Sequence, residues 1–125
     1  MSTTTHVDFY NVSKSKSKNV SLTINTGFGQ NSTSSIYVGS GMLDGGGPNG
    51  AFTEEDFTVD LGTNYELNGK KLIITISVQD IQPHTDESSI TLRLTGGVSD
   101  YKKLMTATID KQTKVVFYTY YIMFH

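Results

Sequence analysis

The chain has 125 residues and no cysteine, which predicts one domain over residues 1–125 and excludes disulfides, zinc thiolates and thiol catalysis. Hydrophobic residues make up 36% of the chain, enough to form a packed core rather than a disordered segment. A net charge of −2 argues against a general nucleic-acid binder, which needs a surplus of Lys and Arg.

The first six residues are polar and rich in threonine, whereas a secretory signal needs a basic start and an apolar run. No later stretch approaches the roughly eighteen consecutive apolar residues that a membrane-spanning helix requires. We therefore expect no membrane span, and a location in the cytoplasm or outside the cell by a route without a classical signal.

Apolar and polar residues alternate along most of the chain, which is typical of half-buried strands. Val20, Leu22 and Ile24, for example, are separated by single polar residues. About eight strands are predicted, near residues 7–12, 20–26, 35–39, 57–61, 71–78, 89–95, 103–109 and 114–124. A ten-residue helical pattern is absent, so the predicted fold is all-β, an antiparallel β-sandwich or jelly roll.

Two short links between predicted strands have sequences typical of hairpin turns. Asn68-Gly69 suits a two-residue turn, which would join a short strand around Tyr65 and Leu67 to the strand that starts at Lys71. The four residues 110–113 would connect the last two strands as a hairpin, because loops of this length are common there.

The segment 39–50 contains six glycines and one proline. Its match to G-x-G-x-x-G does not indicate dinucleotide binding, because Pro48 removes an amide and the chain returns to a strand instead of a helix. A long connecting loop is one interpretation. The other is a ligand-binding loop in a lectin-like module, with Asp44, Asn49 and the nearby Tyr37 as contacts to carbohydrate.

The same region is acidic and has no Lys or Arg between Asn19 and Gly69. Carboxylates beside Gly and Asn can supply the oxygen ligands that calcium prefers, which makes Asp44, Glu54, Glu55 and Asp56 candidate metal ligands. Their spacing does not match an EF-hand, so a solvated acidic surface is the alternative. No other cofactor is predicted.

The last predicted strand is apolar on both faces, unlike the others. Phe117, Tyr121 and Met123 share one face. The opposite face carries Tyr118, Tyr120, Ile122 and Phe124. The second sheet of a sandwich covers one face only, so we expect the four-residue face to lie at an interface and Phe117 to lie in the core. A central strand covered on both sides is the alternative.

No catalytic site is predicted. Ser40 lacks the spacing of a nucleophile elbow, and the three histidines, His6, His84 and His125, are scattered along the sequence. The sequence therefore favours a non-enzymatic domain that works by contact, as a homo-oligomer or with a protein partner, through the C-terminal strand. A carbohydrate-binding module that uses the glycine-rich acidic loop is the alternative.

Overall fold

The computed structural model describes residues 2–14, 17–39, 41–42 and 56–125. Over these residues the chain forms nine strands and one short helix. They are β1 (Ser2–Tyr10), β2 (Asn19–Thr26), β3 (Asn31–Val38), β4 (Gly41–Met42), β5 (Asp56–Thr63), α1 (Asn64–Leu67), β6 (Lys71–Gln79), β7 (Glu87–Thr95), β8 (Tyr101–Thr108) and β9 (Val115–Phe124). The predicted all-β fold class is confirmed.

The strands form two sheets that pack face to face as a β-sandwich. The five-stranded sheet has the order β1-β9-β6-β3-β4, and the four-stranded sheet has the order β5-β2-β7-β8. Neighbouring strands are antiparallel except β1 and β9, which run parallel. The edge strands are therefore β1 and β4 in the five-stranded sheet, and β5 and β8 in the four-stranded sheet.

The core consists of the inward-facing side chains of both sheets. Single-residue alternation of burial along β2, β6 and β9 shows which side of each strand faces inward. The central strands contribute Val20, Leu22, Ile24, Leu72, Ile74, Ile76, Val78, Ile90, Leu92 and Leu94, all 0–1% exposed. Burial of these β-branched and leucine side chains is the main stabilising contribution to the fold.

Strand β9 is an inner strand of the five-stranded sheet, between β1 and β6. Its core-facing side chains include the residues predicted at an interface, Tyr118, Tyr120, Ile122 and Phe124, which are 0–1% exposed. The structure corrects the predicted assignment of the two faces, because the four-stranded sheet covers this one. Phe117 lies on the opposite, outward face and is partly exposed.

A strand was predicted around Tyr65 and Leu67, and the structure has helix α1 there instead. Thr63 caps the helix: its hydroxyl accepts a hydrogen bond from Glu66 N at 3.1 Å, and Glu66 Oε1 accepts one from Thr63 N at 3.1 Å. The single turn buries Leu67 and leaves Tyr65 71% exposed. Gly69, at φ 84°, then turns the chain into β6.

The link at residues 110–113 is not a hairpin, because β8 and β9 belong to different sheets. Asp110 Oδ1 accepts a hydrogen bond from Gln112 N at 2.7 Å, and Lys114 N donates to Asp110 O at 2.8 Å. Lys114 has φ 58°, a left-handed conformation that reverses the chain. The link therefore carries the chain from one sheet to the other.

Candidate functional site on the outer face of the five-stranded sheet

Two aliphatic side chains and two tyrosines form a row across the outer face of the five-stranded sheet, which we call the apolar row. Strand register aligns Val7 with Tyr121, Tyr121 with Ile73, and Ile73 with Tyr37. Val7 is 62% exposed, and the other three side chains are partly exposed. This apolar row thus runs perpendicular to the strands and spans β1, β9, β6 and β3.

A second row, made of hydroxyl side chains, lies beside the apolar row. Thr5 pairs with Thr119, Thr119 with Thr75, and Thr75 with Ser35, again across β1, β9, β6 and β3. In the part of the chain that the structure describes, these four hydroxyls form no side-chain hydrogen bond with another residue. The hydroxyl row is therefore available to a molecule that packs on this face.

Over the described residues, the outer face of the five-stranded sheet carries almost no charge. Besides the two rows, the outward positions of β3, β6 and β9 are occupied by Asn31, Thr33, Lys71, Ser77, Gln79, Val115, Phe117 and Met123. Lys71 is the single lysine, arginine or carboxylate side chain among these positions. It is the first residue of β6 and pairs with Met123 near the end of β9.

The outer face of the four-stranded sheet is different in kind. It carries both signs of charge, with Asp60, Glu87, Arg93 and Lys102 at outward positions. Several of its hydroxyls are also paired within the sheet: Ser21 donates to Asp60 at 2.9 Å, Thr23 contacts Thr58 at 3.0 Å, and Thr108 donates to Glu87 at 3.0 Å. This is the pattern of a surface that faces water.

An apolar groove of about 510 Å³ continues the outer face at one end. Its lining consists of Phe9, Gly69, Met123, Phe124 and His125. Phe9 is 62% exposed, and its ring meets the His125 ring edge-on at a centroid distance of 5.6 Å. Because Phe9 pairs with Met123 in the register, the groove adds apolar area directly beside the apolar row.

A polar cluster joins the facing edges of the two sheets. Tyr101 on β8 donates a hydrogen bond to Asp8 Oδ2 on β1 at 2.8 Å, and His6 Nε2 lies 3.3 Å from the same oxygen. Burial acts to raise the pKa of Asp8, but hydrogen bonds from Phe9 N, Tyr101 and His6 outweigh it and lower that pKa. Burial and the Asp8 carboxylate raise the pKa of Tyr101. These contacts hold β1 against β8.

A polar pocket of about 360 Å³ lies near the crossing between β6 and β7. Its lining consists of Asp80, Ile81, Gln82, Pro83, Asp86, Lys111 and Lys114. Lys111 Nζ is 3.9 Å from Asp86 Oδ2 and the lysine side chain is 83% exposed. Such an exposed pair contributes little to binding or stability. The neighbouring His84 is exposed.

Most of the residues predicted to bind calcium or carbohydrate lie outside the described residues, namely Asp44, Asn49, Glu54 and Glu55. Asp56 is the first residue of β5. Tyr37, predicted to contact carbohydrate, lies in the apolar row on β3. In residues 2–14, 17–39, 41–42 and 56–125, no group of three His, Asp or Glu side chains could hold a metal ion.

The sequence did not identify Val7 and Ile73 as parts of a site. Both occupy ordinary outward positions of alternating strands, and only the strand order places them beside Tyr121. The sequence did show that one side of the last strand carries Phe117, Tyr121 and Met123, and this side is the one that faces outward in the structure.

No model of a known protein family matches the chain, and neither the curated proteins nor the solved structures contain a match to it. Among the described residues, no helix is long and apolar enough to cross a membrane.

Proposed function

We propose that this protein acts by self-association through the outer face of its five-stranded sheet. The observation that carries the proposal is the contrast between the two outer faces of one small domain. One carries both signs of charge and several hydrogen bonds between its own side chains. Over the described residues, the other has an apolar row, four hydroxyls without a side-chain partner and one charge. Apolar side chains aligned in this way are a typical feature of contact surfaces.

The size of the face is sufficient for a specific interface. Four strands spaced by about 4.8 Å and about 30 Å long present roughly 600 Å² from each copy. Two copies would then bury about 1,200 Å², which is the lower end of the range for stable protein interfaces. If about 300 Å² of that area is apolar, its burial contributes roughly 7 kcal/mol before the cost of association.

A second copy is the partner that the charge distribution favours. A face with one lysine at its border can meet an identical face without like-charge repulsion at the centre, and it offers no array of charges to a strongly acidic or basic partner. Self-association also uses the aromatic strand β9, for which the sequence predicts a contact, although through the opposite side of that strand.

The test is the mass of the protein in solution after substitution of the apolar row. Ile73→Lys places a charge at the centre of the outer face, and Thr91→Lys places the same charge at a comparable central position of the other sheet. Sedimentation of the natural chain should show an oligomer at tens of micromolar, which Ile73→Lys dissociates and Thr91→Lys leaves intact. A natural chain that is monomeric at high concentration would refute the proposal, and so would equal behaviour of the two variants.

Carbohydrate binding is the second candidate, favoured by Tyr37 and Tyr121 in a row beside four hydroxyls, with Lys71 only at the border of the face. Aromatic rings can stack on sugar rings while hydroxyls bind sugar hydroxyls. Binding to a glycan array, measured with and without a chelator, separates this candidate from self-association and tests whether calcium takes part.

A further inference from the structure

We infer that two copies pack face to face about a twofold axis that runs parallel to the strands, between β9 and β6. This inference rests on the proposed self-association and specifies its geometry. It follows from the direction of the two rows, which run across all four strands instead of along one strand.

An axis parallel to the strands exchanges the left and right sides of the sheet but keeps each position along the strand. Each row of one copy would therefore face the same row of the second copy. Val7 would lie over Tyr37 of the second copy, and Tyr121 over Ile73. The strands of the two sheets would remain within about 30° of each other, as is usual for twisted sheets packed face to face.

The hydroxyl row supports this arrangement because hydroxyls both donate and accept hydrogen bonds, so a row of them is complementary to itself. Thr119 would lie over Thr75 of the second copy, and Thr5 over Ser35. These four side chains form no hydrogen bonds within the described part of the chain, in contrast to Ser21, which is already bonded to Asp60 on the other sheet.

A twofold axis perpendicular to the strands, along the hydroxyl row, fits the face less well. It would place the apolar row over the next row on the other side of the hydroxyls, which contains Thr33, Ser77 and Phe117. Ile73 would then cover Ser77, leaving a buried hydroxyl against an apolar side chain, which is unfavourable.

Lys71 is compatible with the parallel axis. It is exposed and lies at the end of the register, beside Met123. Its aliphatic stem can cover apolar surface of the second copy while its amine extends past the border into water. The single charge of the face is thus not buried.

The natural chain has no cysteine, so single cysteines test the geometry directly. Thr5→Cys and Ser35→Cys are small changes at the two ends of the hydroxyl row. The parallel axis places these positions opposite each other, about 10 Å apart across facing sheets, whereas two Thr5 positions would be roughly 17 Å apart. The experiment mixes the two single variants, one carrying a size tag, and adds a short thiol-to-thiol cross-linker.

Cross-linked heterodimers of Thr5→Cys with Ser35→Cys, several-fold more abundant than either homodimer, are the expected result. Abundant Thr5→Cys homodimers would overturn the parallel axis in favour of the perpendicular one. Equal, weak cross-linking in all mixtures of a chain that sediments as an oligomer would also overturn it, while the proposed self-association would stand. A monomeric chain that binds glycans would refute both.

Discussion

The Tyr101 hydroxyl donates a hydrogen bond to Asp8 Oδ2 at 2.8 Å, and this bond joins the edge strand of one sheet to the edge strand of the other. Strand β1 has a hydrogen-bonded neighbour strand on one side only, β9. The contact between Asp8 and Tyr101 therefore helps to hold β1, and with it Val7 and Phe9, in the outer face.

Tyr101→Phe should lower the free energy of unfolding by about 1–2 kcal/mol, because it removes a hydrogen bond to a carboxylate that is only partly exposed to water. Urea unfolding at neutral pH measures the change. Tyr65→Phe is the control, since Tyr65 is 71% exposed, and its effect should lie within the error of the measurement.

Acid should weaken the same contact. The pKa of Asp8 is lowered in the folded chain, so its stabilising effect is complete at pH values above the unfolded pKa of about 4 and is lost as pH falls through the folded pKa. Asp8→Asn should therefore reduce the urea midpoint at pH 6 and have progressively less effect toward pH 2. A difference between the two proteins that stays constant from pH 6 to pH 2 would contradict this assignment. Glu66 and Asp110 also have lowered pKa values. The natural chain and the Asp8→Asn variant both retain these two residues, so their effect cancels in the comparison.

Asn64 is fully buried and binds three separate segments of backbone. Its Nδ2 donates to Lys18 O at 2.7 Å and to Gly96 O at 2.8 Å, and its Oδ1 accepts from Ser13 N at 3.0 Å. Asn64→Ala leaves these backbone groups without that partner and should cost about 3 kcal/mol. Asn68→Ala, at an exposed position four residues later, should cost less than 1 kcal/mol. Thermal unfolding of both variants measures the difference.

Two buried tyrosines of β9 should respond differently to loss of the hydroxyl. Tyr118 OH lies 2.6 Å from Ser88 Oγ, whereas Tyr120 OH is buried and has no partner among the described residues. Tyr118→Phe should cost about 1 kcal/mol, and Tyr120→Phe should be neutral or stabilising by up to about 1 kcal/mol. Chemical unfolding of both variants decides the matter, and a larger loss in Tyr120→Phe than in Tyr118→Phe would show that the Tyr120 hydroxyl is bonded.

The sequence predicted the strands well where apolar residues alternate and less well where small polar residues face the core. Ser32 and Ser34 are 4% and 0% exposed, so β3 begins four residues earlier than the apolar pattern indicated. In α1, the capping interaction of Thr63 with Glu66 determined the local structure, although the alternation of Tyr65 and Leu67 resembled a strand.

The site was harder to predict because it depends on strand order. Alternation shows that Tyr118 and Tyr121 face opposite sides, but it does not show which side the second sheet covers. The parallel pairing of β1 with β9 brings Val7 beside Tyr121, and a contact between residues so distant in sequence leaves no local pattern.

The two faces of β9 give a final prediction. Tyr118 and Tyr120 are 0% exposed, so changing both to Ser would leave large cavities lined by apolar groups and cost about 6–10 kcal/mol, comparable with the whole stability of a domain of this size. The double variant should therefore be unfolded by circular dichroism. Phe117→Ser, on the outer face of the same strand, should cost about 1 kcal/mol and retain the sheet spectrum, because its side chain is already partly exposed. If Phe117→Ser unfolds the chain and the double variant does not, the inward and outward sides of β9 are reversed, and the apolar row faces the core.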